Sequence, residues 1–335
     1  MPCQRFNQFA EEASRADIDE FFALPHIVRP GETISSTSLT KRAGGKGANQ
    51  AYAVAKAGGN VDLDGCIGQD GEWVRELLKS GGVGDGRLET LKNELTGRAI
   101  IQSASDGENS IVLHAGANHH LSSSSSSPNL QNYTHILLQN EIPLSSTLSY
   151  LEESGKKGLI SIFNPSPMLS SEELRQFPWK DLSWLIVNEG ELNDLLNAFN
   201  SNSSENEKQK NIDDLDLEEL IKIASKGILE LHENSFFSKK INIICTLGSK
   251  GILYFNPING NKDIGHLKAG KLLNKLKDTT GAGDCFAGYF VAGLMRNEPL
   301  EKVLKTCLTA CAICVENEGA MGSVPNIEAT LARLE

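Results

Sequence analysis

A chain of 335 residues, 39% apolar and 22% charged, is long enough for one large domain or two small ones with ample core. Its net charge of −11 and the absence of a Lys/Arg block argue against a nucleic-acid surface, and no apolar run reaches membrane-spanning length. Seven scattered cysteines fit reduced thiols rather than a disulfide framework. The segment Met1 to Arg15 lacks the apolar stretch of a secretory signal and carries Glu11 and Glu12, which a mitochondrial presequence avoids. The cytoplasm is the expected compartment, with the nucleus as a second one.

Met1 to Ala16 shows neither strand nor strong helix pattern. Asp17 to Thr40 reads as two short strands around Pro30-Gly31, the second on the β-branched run Thr33 to Thr37. A small-residue helix follows over Ala48 to Ala57, then a strand over Val61 to Ile67 and a helix over Gly71 to Lys79. Arg98 to Ser103 and Ser110 to His114 read as a hairpin around Asp106-Gly107. The serine run Ser122 to Ser127 is a loop by composition. Strands over His135–Gln139, Leu159–Phe163 and Leu182–Val187 then alternate with helices over Ser145–Ser154, Ser171–Phe177 and from Glu189, the signature of βα units and a parallel sheet. Asn197 to Asp216, rich in Asn, Ser, Glu and Lys, reads as a flexible insertion. A helix over Leu217–Leu231, strands over Ile241–Leu247 and Ile252–Phe255, and two last helices, Phe286–Arg296 and Leu300–Val315, complete the pattern.

The most informative stretch is Lys277-Asp278-Thr279-Thr280-Gly281-Ala282-Gly283-Asp284-Cys285-Phe286-Ala287-Gly288. Gly281 and Gly283 bracket Ala282 before an apolar helix, and the free amides and dipole of a helix N-terminus attract anions. A carboxylate at that mouth repels a resting phosphate, so Asp284 reads as a base for a substrate hydroxyl, with a plain helix cap as the alternative. Gly44-Gly45-Lys46-Gly47-Ala48-Asn49-Gln50-Ala51 also opens a helix, and lacks the spacing of a Walker loop. Asn188-Glu189-Gly190-Glu191 has the form of a capping box. Thr246-Leu247-Gly248-Ser249-Lys250-Gly251 by itself is only a turn. Cys307, Cys311 and Cys314 form one helical stripe better read as buried small residues than as a metal site, and His119-His120 reads as a solvated pair.

Asp-Thr-Thr-Gly-Ala-Gly-Asp-x-Phe-x-Gly resembles the C-terminal signature of the ribokinase-like, phosphofructokinase-B-type carbohydrate kinases, and Gly44 to Ala51 resembles their N-terminal signature in its ribose-kinase form. The likeness runs from about Asp19 to Pro325. It implies an α/β fold, a three-layer α/β/α sandwich with a mostly parallel sheet and a small β lid. The lid would be 19–42 and 97–114, the core 43–96 and 115–335, and 1–18 an atypical N-terminal segment.

The implied activity is ATP-dependent phosphorylation of ribose to ribose 5-phosphate. The alternatives are another sugar or a nucleoside as acceptor, or a non-catalytic binding or regulatory product. By resemblance Asp284 is the base and Gly281, Ala282 and Gly283 form the anion hole. Asp19, Gly45, Lys46, Asn49 and Glu141 meet the sugar. Asn188, Thr246, Gly248, Ser249 and Gly251 meet ATP. Asn188 and Glu191 organise Mg²⁺ through water, and Asp278, Thr280, Val315, Glu318, Gly319 and Ser323 a monovalent cation, K⁺. His114 to Asn118 and the turn Asn164-Pro165 match the family as well. Pairing of two copies through the lid is a further implication. The departure lies at the front: the family opens with an apolar strand ending in Asn-x-Asp, whereas here the equivalent is Asp17-Ile18-Asp19, and the first core strand is expected to be missing.

Overall fold

Strands with β-branched and apolar runs alternate with amphipathic helices along most of the chain, and the computed structural model shows how they stack; it describes residues 8–121, 128–199, 216–257 and 262–334. In chain order the first half holds β1 (Phe9–Ala13), β2 (Asp17–Leu24), β3 (Ser38–Gly44), α1 (Lys46–Lys56), β4 (Asn60–Gly68), α2 (Glu72–Ser80), β5 (Leu88–Leu91), β6 (Gly97–Ala104), β7 (Asn109–His114) and β8 (His135–Leu138). The second half holds α3 (Leu144–Lys157), β9 (Ile160–Phe163), α4 (Ser171–Gln176), β10 (Trp184–Asn188), α5 (Glu189–Phe199) and α6 (Leu217–Glu233). It closes with β11 (Asn242–Thr246), β12 (Ile252–Phe255), β13 (Ile264–Leu267), α7 (Ala282–Met295), α8 (Leu300–Cys314) and α9 (Ile327–Leu334). The serine run and most of the expected insertion lie outside the described residues.

Among the described residues, nine strands form the central sheet in the order β13-β12-β11-β10-β9-β8-β1-β4-β5. It is parallel from β11 to β5, and β12 and β13 continue it antiparallel. Side chains alternate across the sheet, so each strand feeds two cores. Leu137 of β8 joins one core with α1, α2, α7 and α8, while its neighbours Ile136 and Leu138 join the other with α3, α4, α5 and α6. This is the three-layer sandwich. A separate sheet, β3-β2-β6-β7, leaves the main one after β1 and returns to it through α1.

The expectation of a missing first strand is overturned. Phe9–Ala13 pairs with β8 on one side and β4 on the other, in the interior of the sheet. The sequence hides this strand because two of its five residues are glutamates, and both are fully buried. Backbone pairing on both edges supplies what the side chains do not. Glu11 faces the α3 side, with Oε1 2.8 Å from Arg87 Nε; that guanidinium also pairs with Asp64, which accepts the Tyr150 hydroxyl. Burial outweighs Arg87 and raises the Glu11 carboxyl to about 8. Glu12 faces the α1/α7 side, and burial pushes its carboxyl well above the ordinary value. Neutral carboxyls are how a central strand tolerates these residues.

Other differences are smaller. Thr33 to Thr37 is mostly exposed connector rather than strand, and pairing with β2 starts at Ser38. The hairpin of β6 and β7 turns at Gly107, which sits at φ 93°. Strands β5 and β13 flank the sheet, and α9 follows the two helices read as the last; their short, mixed apolar patterns give no periodicity to detect.

Because Glu11 and Glu12 have raised pKa values in the folded chain, their contribution is intact below the unfolded value near 4.5 and is lost as pH rises through the folded one. The unfolding midpoint is therefore expected to fall from pH 5 to pH 9, and Glu11→Gln with Glu12→Gln to flatten that slope. Thermal melts across the range check this; parallel curves for the two proteins would show that the carboxyls are not buried neutral.

Candidate active site

Two helices begin at one cleft. Gly45 precedes α1 at φ 86°, and a Cβ there would stand 2.6 Å from the Arg15 carbonyl oxygen, so the segment between β1 and β2 and the start of α1 touch backbone to backbone. Ala48 N–H donates to that same Arg15 oxygen at 3.0 Å. Gly281 caps α7 at φ 76°, and its Cβ would stand 2.6 Å from Ala320 Cα. The chain thus turns sharply into α7 and presents its N-terminal amides to the cleft. Ala282 N–H is already taken by the Thr279 carbonyl at 3.2 Å, and among the described residues no acceptor takes the N–H of Gly283 or Asp284.

Asp284 stands in the first turn of α7 and is 7% exposed. It does not cap the helix; both oxygens point across to α1. Asn49 Nδ2 donates to Oδ2 at 3.0 Å and Gln50 Nε2 to Oδ1 at 2.9 Å. Burial raises its carboxyl, opposed by the Lys46 charge and by these two donors. A carboxyl poised upward yet hydrogen-bonded in its ionised form is suited to accept a proton. Gln50 is a participant to which the motif assigns no role; its place next to Asn49 is the only signal.

On the side toward the small sheet, Glu141 Oε2 accepts Lys46 N–H at 2.7 Å, and burial brings the Glu141 carboxyl to about 7 against the Arg15 charge. Asp19, on β2, is likewise raised to about 7, by burial and then by Asp17, with Arg15 and Arg42 opposing. Gly44 leaves the space its carboxylate fills. Asp17 pairs with Arg15 and accepts Asn118 Nδ2 at 2.9 Å, while Asn118 Oδ1 takes the Ala16 N–H. Asn49 Oδ1 is buried with no partner among the described residues. An orphaned acceptor beside two raised carboxyls fits a polyhydroxylated molecule that brings its own donors.

On the opposite side lies a cavity of about 420 Å³. Thr246, Gly248, Ser249 and Gly251 form one wall, and Leu272, Leu276, Phe286 and Leu308 give it an apolar floor. A smaller cavity of about 130 Å³ shares Thr246 and Gly283 with it and reaches Lys46, Asn188, Glu191 and Asp284. Asn164, expected only as a turn, lines this smaller cavity too and donates to the Ile186 carbonyl at 3.0 Å. Asn188 and Glu191 make the reciprocal capping box: Glu191 N–H to Asn188 Oδ1 at 2.7 Å, and Asn188 N–H to Glu191 Oε2 at 2.9 Å. Among the described residues no group of three or more His, Cys, Asp or Glu could hold a metal. These residues fit a Mg²⁺ that keeps its waters and rides on phosphates, not a protein-caged ion.

The residues matched to a monovalent cation come together only in part. Asp278 accepts Thr280 N–H at 2.9 Å and Gly319 N–H at 2.8 Å; burial raises its carboxyl, but these bonds and Arg42 outweigh that and leave it lowered. The Val315 carbonyl already accepts Lys277 N–H at 2.9 Å and Asp278 N–H at 3.3 Å, which occupies both lone pairs. Ser323 Oγ donates to the Ala320 carbonyl at 2.8 Å. Glu318 is largely exposed, 3.8 Å from the Arg42 guanidinium. Cys307 and Cys314 are buried, and Cys311 lines the large cavity, donating to the Ala282 carbonyl at 3.3 Å.

A buried carboxylate at a helix N-terminus, with a cluster of buried polar side chains on one side and a nucleotide-sized cavity on the other, defines a phosphotransferase of the α/β-sandwich class. Residues 17–327 match the family described as pfkB family carbohydrate kinase, and the chain belongs to that family. It is similar to a ribokinase of Haemophilus influenzae, 31% identical over 95% of each chain, and to one of Schizosaccharomyces pombe, 32% identical over 89% of this chain and 88% of the other. Among solved structures it superposes on ribokinase from Cryptococcus neoformans var. grubii in complex with ADP, with 62% identity, TM-score 0.89 and coverage of 97% and 99%. Arabidopsis thaliana ribokinase complexed with ribose and ATP gives TM-score 0.81 at 27% identity, covering 98% of each chain.

Gly281→Ala forces a side chain into a left-handed conformation against Ala320. A loss of about 1–3 kcal/mol in unfolding free energy is expected, with turnover reduced because the α7 amides shift. Chemical denaturation and steady-state rates measure both; an unchanged midpoint would mean the turn relaxes freely.

Proposed function

We propose that this chain phosphorylates D-ribose at O5, with ATP as donor, to give ribose 5-phosphate and ADP. The observation that carries the reading is the position of Asp284, bonded to Asn49 in the buried polar group that includes Asp19 and Glu141, and lining the small cavity that shares Thr246 and Gly283 with the larger one of Gly248, Ser249 and Gly251. The ribokinase relatives and the ADP and ribose–ATP complexes of neighbouring structures support it. Asp284 takes the O5 proton, O5 forms its bond to the γ-phosphorus, and the bond from that phosphorus to the β-bridging oxygen breaks with ADP leaving. The amides of Gly283 and Asp284 and the Lys46 ammonium meet the negative charge in flight. Asn188 and Glu191 would hold Mg²⁺ through water, and the ion would supply charge neutralisation on the phosphates. Asn49 and Glu141 fix the sugar hydroxyls, with Gly45 giving close approach.

The small sheet acts as a lid over the sugar. Leu39, Ile100 and Val112 on it are exposed apolar residues, which favours pairing of two copies, and size measurement by light scattering would test that. The cytoplasm, with the nucleus second, fits a sugar kinase fed by soluble metabolites. K⁺ binding at Asp278, Thr280, Gly319 and Ser323 would act on the order of the α7 amides and so mainly on kcat; equal rates in K⁺, Na⁺ and a bulky organic cation at constant ionic strength would remove it.

Asp284→Asn should retain both substrates and lower kcat by about 10²–10⁴-fold. In the unaltered chain the rate should fall on the acid side at a pH above the ordinary aspartate value, since burial raises this carboxyl and only its ionised form is a base. Surviving turnover in the variant would remove Asp284 as the base. Fructose or adenosine outcompeting ribose in a coupled ADP assay would change the acceptor instead.

A further inference from the structure

Phosphoryl transfer as described makes no use of the carboxyl on β1 that faces the reaction. Glu12 is fully buried on the α1/α7 side of the sheet. The charged groups around it are Asp284 on α7, Glu141 after β8 and Glu11 beside it on the strand, and Lys46 bears on Asp284. The polar side chain next to it is Gln139, at the end of β8, which opposes the effect of burial without outweighing it. Among the described residues neither Glu12 oxygen has a hydrogen-bond donor, and neither does Gln139 Oε1. A proton is what a set of orphaned acceptors lacks.

The orientation of two amides locates that proton. Ionised Asp284 can only accept, so Gln50 must turn Nε2 toward it, at 2.9 Å, with Asn164 Oδ1 also near that nitrogen at 3.4 Å. Gln50 Oε1 is then directed away and accepts Gln139 Nε2 at 2.6 Å. With Nε2 so engaged, and no donor among the described residues reaching Gln139 Oε1 or either Glu12 oxygen, a proton on the Glu12 carboxyl supplies the donor these acceptors lack. Ionised Glu12 would instead draw Gln139 Nε2 toward itself, and a full turn of both amides would put Gln50 Oε1 against Asp284.

We propose that Glu12 is a positioning residue for the base: as a carboxylic acid it donates to Gln139, and through Gln139 and Gln50 it holds Asp284 ionised and oriented toward the sugar. The inference rests on the reading of Asp284 as base. The two carboxyls at the ends of the amide pair thus share one proton in effect, and the base is competent when the proton is on Glu12. Burial favours the same state, since it disfavours the ionised form of Glu12.

The test is the pH dependence of kcat for the unaltered protein and for Glu12→Gln, whose side-chain amide donates to Gln139 at every pH. Loss of the fall in kcat above neutrality, with the acid side kept, is the expected result; superimposable profiles would overturn the proposal. A second measurement does not need turnover. Glu12→Gln should raise the unfolding midpoint at pH 8, and raise it less in the Asp284→Asn background, because the amide introduced there can donate to Gln50 and let both glutamines turn toward ionised Glu12. Strict additivity would exclude the coupling. Absence of ribose phosphorylation by the unaltered protein would instead count against the proposed function, and the melting cycle would still decide the role of Glu12.

Discussion

The close approach of α1 and α7 is the constraint on which the site depends. At Gly288, one turn after Asp284, a Cβ would stand 2.7 Å from the Gln50 carbonyl oxygen and would overlap Ala53. Small residues along both helices, Ala48, Ala51 and Ala53 on one and Ala287 and Ala292 on the other, are fully buried or nearly so. Only backbones this near let Asn49 and Gln50 bond to a carboxylate 235 and 234 positions away. The same contact aims the positive ends of two helices at one volume of space, which concentrates backbone dipoles without a cluster of cations.

The electrostatic character of the cleft follows. Asp17, Asp19, Glu141 and Asp284 lie near it, and burial raises all four. Arg15 and Lys46 offset part of this charge, and the remainder is tolerated as shared protons and donated hydrogen bonds. Such a pocket holds neutral, hydroxyl-rich molecules well and resting phosphates poorly. In the proposed reaction the anionic phosphate would lie at the other end, by the α7 amides and the glycine-lined wall of the large cavity.

Motif-borne parts of the site are legible in the sequence because their chemistry is local. Gly44 to Ala51 and Asp278 to Gly288 each specify a turn, a helix start and a polar side chain within a dozen positions. What cannot be read is what the fold brings from afar. Gln139 has no local signal, and its partner Gln50 lies 89 positions earlier. Ala282 looks like a free amide in the motif, yet the preceding turn uses it. Strand β1 is hidden for a different reason: Glu-Glu in a short run reads as solvent-facing, and nothing in Phe9–Ala13 announces that strands will pair with it on both edges and bury it. The parallel core from β8 to β11 is plain because its four-to-five-residue apolar runs repeat with helices between them.

The position of β1 sets the order in which the molecule can be assembled. It precedes every other described strand, but its register partners are Asn60 to Asp64 on one edge and His135 to Leu138 on the other. During synthesis it leaves the ribosome well before either edge exists, and its two glutamates, charged in water, gain nothing from early collapse. Only when β8 closes against it does the strand lose its hydration, so a long-range pairing rather than local propensity commits these residues to the sheet. Strands β9 to β13 then extend the sheet from that closed middle, and its active-site face waits for α7, which follows them all.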